Sequence, residues 1–297
     1  LRSFDDNGFT LSDGSNSGGN TDGRTYAAWC WRAGGEPTVS NVGGRNATEG
    51  SVMIDGKKAI GYVYPSANIY PTKMTVNTVA GFSCIQFEGN GSNGATVPHG
   101  LLKAPAFIIH KNIDRDIHWP IFHHQTQNTG NGATDVHYIS QSGTGSSDNI
   151  RNVNANTFSL TTWVGGNGNG ETFVSWIWHE VPGFSKFGRY IGNADSAHGP
   201  FINCGFKPAL VVIKGSNDHW CVHDSARQPG NDNISQLNWN RNIAESSAGN
   251  PINFVSNGFM LGGSNTGSAP GTRTNGNGST YIYMAWAESP FKYANAK

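Results

Sequence analysis

The chain has 297 residues, with 20 Lys and Arg against 20 Asp and Glu, and charged residues make up only 13% of it. A net charge of zero argues against nucleic-acid binding and against a polybasic membrane anchor, because both need a basic surface. The 40 glycines and 36% hydrophobic residues indicate many tight turns around substantial cores. No apolar run approaches the roughly 20 residues of a membrane-spanning helix, so we expect no membrane insertion.

One seven-residue pattern occurs three times along the chain, and we call it the closing strand. It is Thr-Tyr-Ala-Ala-Trp-Cys-Trp at 25–31, Thr-Phe-Val-Ser-Trp-Ile-Trp at 172–178 and Thr-Tyr-Ile-Tyr-Met-Ala-Trp at 280–286. Each copy begins two residues after a glycine. Apolar residues occupy both sets of alternate positions, which predicts a central strand that is covered on both faces.

Two further patterns each occur twice, ahead of the later two closing strands. Gly-Phe-Ser begins at Gly81 and at Gly183, and the later copy has one extra residue before the following Gly-Asn, which predicts a bulge in its strand. Pro-Ala, four apolar or His residues and Lys occupy 105–111 and 208–214, and a His-Trp pair follows both copies. In the first full repeat these patterns and the Gly/Asn turns predict strands near 82–88, 106–111, 118–123, 135–140, 157–160 and 172–179.

The repeats divide the chain into four parts. Residues 1–35 would be the C-terminal part of an incomplete first repeat, whose beginning we expect to lie before Leu1. Residues 36–79 would be an inserted connector. Residues 80–181 and 182–297 would then be two full repeats, each a β-sandwich.

The insert has strand-like pieces of its own. Apolar runs at 51–54 and 60–64 surround Asp55 and Gly56, a dipeptide that favours the tight turn of a β-hairpin. Short strands separated by Gly, Asn and Ser turns, with no helical period, continue through the rest of the chain. The sequence therefore predicts an all-β fold of tandem β-sandwiches, of jelly-roll or lectin-like type.

Tryptophans are the first candidates for a binding site, because their rings can stack on sugars. Those at fixed positions in the closing strand are interpreted as core residues: Trp29, Trp31, Trp176, Trp178 and Trp286. Trp163 and Trp239 lie outside the repeat patterns among Asn, Gly and Thr residues. These two are the candidate ligand-binding residues.

Metal binding and catalysis have weaker support. His118, His123, His124 and His137 cluster along the chain, but the odd interval from His118 to His123 places the two on opposite faces of a straight strand. Asp114 and Asp116 form the nearest approach to a glycosidase acid pair, in a polar turn. We therefore expect no metal site, no cofactor and no catalytic activity.

Several of these motifs together resemble a known family. They are Gly-Phe-x-Leu at 8–11, the first closing strand, the run Gly-Phe-Ser-Lys-Phe-Gly-x-Tyr-x-Gly-Asn at 183–193, and the ending Ala-x-Ala-Glu-Ser-Pro-Phe-Lys-Tyr-Ala-Asn-Ala-Lys at 285–297. The chain resembles the repeated C-terminal region of large structural proteins of phages, especially phages of marine bacteria. Such proteins often carry a lectin-like sandwich domain ahead of these repeats.

The resemblance implies a protein of the virion surface, in a tail fibre or another appendage. Its expected role is host-cell adhesion through a surface glycan or protein. A purely structural role, as a capsid decoration or fibre shaft, is the alternative, and a polysaccharide depolymerase is a weaker one. We expect other virion proteins and identical chains as partners, in a homotrimer, because closing strands that are apolar on both faces and an unpaired first repeat need covering neighbours.

Overall fold

The computed structural model describes residues 2–5, 8–12, 19–126, 136–140, 144–145, 149–195, 197–215, 218–228, 235–245, 252–262 and 274–288. Strands make up 40% of the structure and helix 2%, which confirms the all-β prediction. The chain divides into two units, Leu1–Trp31 and Arg32–Lys297. Within the described ranges, no helix has the length and apolar character needed to cross a membrane.

The first unit contains one small hairpin. Strands β1 (Ser3–Asp5) and β2 (Gly8–Thr10) pair antiparallel. The predicted closing strand at 25–31 is wrong, because this segment forms no strand. Trp29 and Trp31 are half-buried, so their interpretation as core residues is corrected as well. A strand needs hydrogen-bonded neighbours. The later two copies of the closing strand each lie between two such strands, and the described part of the first unit has none in the corresponding place.

The first β-sandwich combines a seven-stranded sheet with a three-stranded one. The large sheet has the order β4-β3-β5-β6-β14-β8-β9, the small sheet has the order β12-β13-β7, and β10 and β11 form a separate pair. The elements are β3 (Val52–Ile54), β4 (Lys57–Lys58), β5 (Lys73–Asn77), β6 (Phe82–Glu88), β7 (Ala95–Pro98), β8 (Phe107–Asn112), β9 (Ile121–His123), β10 (Val136–His137), β11 (Thr144–Gly145), β12 (Ile150–Arg151), β13 (Thr157–Leu160), the one-turn helix α1 (Val164–Asn167) and β14 (Thr172–Trp178).

The second β-sandwich repeats this topology. Its large sheet has the order β15-β22-β17-β18-β19 and its small sheet the order β16-β21-β20. The closing strands β14 and β22 are both central, as the sequence predicted. The boundaries at 80–181 and 182–297 stay predictions. The strands are β15 (Ser185–Ile191), β16 (Phe201–Asn203), β17 (Pro208–Gly215), β18 (Cys221–Asp224), β19 (Leu237–Asn238), β20 (Ile252–Val255), β21 (Gly258–Leu261) and β22 (Thr280–Ala287).

A buried asparagine fixes the same corner in both sandwiches. Asn167 accepts a hydrogen bond from the backbone N–H of Asn90 at 3.0 Å, and Asn275 accepts one from the N–H of Asn193 at 2.8 Å. Asn167 also donates to the side-chain oxygen of Asn90 and to the carbonyl of Ser92. Each amide thereby ties the loop after β6 or β15 to the segment before the closing strand.

The extra residue of the second repeat does not form the predicted bulge. Residues Ser185–Ile191 pair with β22 without a register shift. The stacked pair Tyr190 and Tyr281 corresponds to the stacked pair Phe87 and Phe173 of the first sandwich. The extra residue therefore lies in the turn before β15, where a loop absorbs it without disturbing the ladder.

The insert completes the first sandwich and is not a separate connector. Asp55 and Gly56 have the positive φ angles, 50° and 82°, that a tight hairpin turn requires, so the predicted hairpin is confirmed, although its second arm is β4 and not 60–64. Strand β3 pairs parallel with β5, and β5 pairs with β6. The insert therefore adds three strands to the large sheet.

The two sandwiches pack through the outer faces of their large sheets. The indoles of Trp178 and Trp286 meet at 6.1 Å, and the rings of Phe107 and Phe187 stack at 6.1 Å. Trp178 and Trp286 are buried, which confirms their interpretation as core residues. The second cover of the closing strands, which their two-sided apolar pattern requires, is thus the neighbouring sandwich.

Two histidines reinforce this junction. The backbone N–H of Gln125 donates to His123 Nδ1, so Nε2 carries the hydrogen and donates to the carbonyl of Tyr283 at 3.2 Å. His124 Nε2 donates to the carbonyl of Phe187 at 2.9 Å. These two members of the predicted histidine cluster, His123 and His124, therefore donate hydrogen bonds to backbone carbonyls of the second sandwich.

Candidate functional site

Trp163 lies where β13 leads into α1. Its carbonyl accepts the N–H groups of Gly166 and Asn167, both at 2.8 Å, which starts the helical turn. The indole folds back over Gly165, where a Cβ atom would collide with the ring, so only glycine fits beneath it. The ring is half-buried and lies 6.0 Å from the ring of Tyr138.

Tyr138 connects the two sandwiches. It is buried, and Pro120 pairs with it through an isolated β-bridge. Its ring contacts exposed His118 at 5.2 Å as well as Trp163. Its carbonyl accepts a 3.0 Å hydrogen bond from the indole N–H of Trp220 in the second sandwich.

Trp239 joins the same group from the other side. Its half-buried ring stacks on the fully buried ring of Trp220 at 6.3 Å, with 28° between the planes. Its backbone N–H donates to the carbonyl of Trp220. The two predicted candidates, Trp163 and Trp239, therefore belong to one series of contacts that runs through Tyr138 and Trp220.

Trp119 and Trp176 form a second aromatic group, on the outer face of the large sheet of the first sandwich. Their rings stack at 6.2 Å with 18° between the planes, and the Nζ atom of Lys111 lies 5.4 Å from the centre of the Trp119 ring. Trp176 is half-buried, so its interpretation as a core residue is corrected. The second sandwich contacts the end of β14 that carries Trp178 and leaves Trp176 partly open. We call the two groups together the aromatic belt: His118, Trp119, Tyr138, Trp163, Trp176, Trp220 and Trp239.

A lysine supports the belt in each sandwich. Lys111 Nζ donates to the carbonyl of Arg115, and Lys214 Nζ donates to that of Asp218, four residues on in both cases. Lys214 Nζ also lies 5.9 Å from the centre of the Trp220 ring. Burial lowers the pKa of Lys214 to about 8.

A buried amide lies beside Trp163. Asn149 is buried, and no described residue hydrogen-bonds its side-chain nitrogen or oxygen. A Cβ atom placed on Gly166 would lie 3.6 Å from both Asn149 Cβ and a ring carbon of Trp163, so the amide and the indole are neighbours. An unsatisfied buried amide costs about 1–3 kcal/mol of folding free energy.

The buried serine–histidine pair beside α1 is structural. His110 Nδ1 lies 2.8 Å from Ser175 Oγ, and its Nε2 donates to the carbonyl of Gly166 at 2.9 Å. Both side chains are fully buried, the imidazole stacks on Phe173, and burial lowers the pKa of His110 to about 4. A neutral histidine that no substrate can reach joins α1 to the sheet.

The other predicted weak candidates do not come together. Asp114 accepts a 2.6 Å hydrogen bond from the backbone N–H of Thr172, and it is exposed, as Asp116 is. His118 lies 3.2 Å from Ser140 Oγ, away from the junction histidines, and the side chain of His137 lies outside the description. Over the described ranges, no group of three or more His, Cys, Asp and Glu residues is placed to hold a metal ion.

The structure defines a protein made of two β-sandwiches that share one buried junction, with half-exposed aromatic rings beside it. The chain belongs to the family described as a domain of unknown function, DUF7483, whose model matches residues 1–62 and 65–290. The second match runs without a break through both sandwiches. No curated protein and no solved structure matches the chain.

Proposed function

We propose that this protein is a binding module of a virion surface appendage, and that it holds a host-cell glycan on the aromatic belt. The observation that carries the proposal is a set of half-exposed indoles: Trp163 and Trp239, joined through buried Tyr138 and Trp220, and the stacked pair Trp119 and Trp176. Sugar rings present apolar C–H faces edged by hydroxyl groups. Rigid aromatic surfaces with a few polar groups beside them suit such ligands.

The rings of the belt are held in place before any ligand arrives. The indole of Trp220 is fixed by its hydrogen bond to Tyr138, and Trp163 is fixed by the turn that it caps. Aromatic side chains have few rotatable bonds, and neighbours that lock them reduce the ordering cost of binding further.

The place in a virion rests on the sequence resemblance to phage structural proteins. In a tail fibre, many copies of a weak glycan site act together, so modest affinity at each belt suffices for adhesion. Identical chains and other virion proteins are the partners that this role requires.

A purely structural role is the second candidate, favoured by the sealed junction around Trp178 and Trp286. Electron microscopy of intact virions separates the two roles. An adhesion module lies at the outer end of an appendage with its belt open to solvent. A shaft or decoration component has the belt covered by neighbouring subunits.

Glycan binding is tested by titrating the full chain with a panel of neutral and acidic bacterial oligosaccharides. We expect Trp163→Ala and Trp239→Ala to weaken binding, whereas Tyr26→Ala, at a 49% exposed aromatic of the first unit, leaves it unchanged. Binding that is equal in all these variants, or absent throughout the panel, contradicts the proposal.

A further inference from the structure

The small sheets of the two sandwiches differ at one edge. In the first sandwich the insert covers edge strand β7: the N–H groups of Asn68 and Ile69 donate to the carbonyl of Thr96 at 3.2 and 3.1 Å. Thr96 Oγ1 in turn donates to Asn68 Oδ1 at 3.1 Å. The second sandwich has no corresponding insert, since its first strand begins directly after the turn that follows β14.

Strand β16 occupies the place of β7 in the second sandwich. Phe201 pairs with Met260 just as Thr96 pairs with Ser159. The N–H of Leu261 donates to the carbonyl of Pro200, so these two residues form a hydrogen-bonded pair of the ladder. Such pairs alternate along an antiparallel ladder, so the N–H and C=O groups of Phe201 and Asn203 point away from β21. No described residue hydrogen-bonds these groups.

This edge carries apolar side chains and no protecting charge. Phe201 is 49% exposed and Met260 beside it 38% exposed, and neither β16 nor β21 contains a charged residue. Two other edges are protected. Strand β4 consists of Lys57 and Lys58, and on β15 the N–H of Phe187 donates to the carboxylate of Glu180. An open apolar edge of this kind favours pairing with another strand.

We propose that β16 pairs antiparallel with β16 of a second copy of this chain, which joins the two small sheets into one sheet of six strands. The outward groups of Phe201 and Asn203 are two residues apart, symmetric about Ile202, so the strand is complementary to itself across a two-fold axis. Phe201 of one copy then faces Asn203 of the other, and the two phenyl rings lie on the diagonal, within reach of each other.

A second copy fits better than a charged partner, because the chain has zero net charge and the edge offers no charged group.

The contact is two-fold and replaces the trimer expected from the sequence. It is separate from the aromatic belt, so it can fail while glycan binding holds, and the reverse. Three residues a side make a weak interface alone, and repeated copies on a particle strengthen it.

Sedimentation of the full chain over a wide concentration range tests the proposal. We expect a monomer–dimer equilibrium whose dissociation constant rises about tenfold or more in Phe201→Lys, because charge on an edge strand opposes pairing. Val42→Lys is the matched control, at an aliphatic residue that is 88% exposed and far along the chain, and it leaves the equilibrium unchanged.

Cross-linking locates the contact and does not depend on how well the lysine variant folds. In a Cys30→Ser background, which removes the exposed thiol, Phe201→Cys combined with Asn203→Cys places two cysteines opposite two others. Hydrogen-bonded antiparallel pairs have Cα atoms about 5.5 Å apart, within the range that disulfides span. We expect a disulfide-linked dimer on mild oxidation. A wild-type chain that is monomeric or trimeric, a dimer unaffected by Phe201→Lys, or an absence of cross-linked dimer overturns the proposal.

Discussion

Replacing Trp178 by alanine should destabilise the whole pair of sandwiches. The indole is buried and contacts three rings, Phe82 at 5.0 Å, Phe107 at 5.5 Å and Trp286 at 6.1 Å. Truncating a buried tryptophan to alanine costs about 3–5 kcal/mol. Trp176→Ala is the matched control two residues earlier in β14. Its ring is half-buried, so its loss should cost about 1 kcal/mol.

Chemical denaturation followed by circular dichroism measures both costs. Because Trp178 and Trp286 meet across the junction, we expect one cooperative unfolding transition for residues 32–297. We also expect the variant with both tryptophans replaced by alanine to lose about 0.5–3 kcal/mol less unfolding free energy than the sum of the two single losses. A loss below about 1 kcal/mol for Trp178→Ala would refute the buried junction. So would two separate transitions in the wild type with purely additive losses.

Further expectations concern the buried polar groups. Asn167→Ala should cost about 1–3 kcal/mol by denaturation, whereas exposed Asn169→Ala costs less than about 0.5 kcal/mol. The pKa of His110 in the folded state is about 4, below its ordinary 6.5. Between these pH values the unfolded state binds more protons, so the free energy of unfolding falls as pH drops from 6.5 to 4. This loss should be smaller in His110→Gln. The pKa of Lys214 is about 8 against an ordinary 10.5, so the free energy of unfolding rises as pH rises from 8 towards 10. Lys214→Met should remove that rise, whereas Lys111→Met should preserve it.

The sequence predicted the strands of the large sheets well, because their apolar patterns are local and repeat. Strands at 82–88 and 157–160 have the predicted bounds, and the closing strand at 172–178 ends one residue earlier than expected. The strand predicted at 25–31 failed for a physical reason. Its residues have strand propensity, but the described part of the first unit supplies no partner ladder.

The site depended on contacts that no local pattern encodes. Trp163 and Trp239 were singled out as tryptophans in polar surroundings, but their connection runs through the hydrogen bond from Trp220 to Tyr138, which joins residues 82 apart. Trp176 has the same strand pattern as Trp178, and only contacts with the second sandwich bury Trp178 while Trp176 stays partly open. The repeated His-Trp pair at 118–119 and 219–220 was the one available signal for Trp119 and Trp220.

Saturation-transfer NMR tests the central claim most directly. The aromatic protons of the full chain are irradiated in the presence of an oligosaccharide from the bacterial surface panel, and transfer to the sugar protons is recorded. The account predicts strong transfer to C–H protons on one face of a sugar ring, which is lost in Trp163→Ala and kept in Tyr26→Ala. Equal transfer in both variants, or none with any oligosaccharide of the panel, would contradict glycan stacking on the aromatic belt.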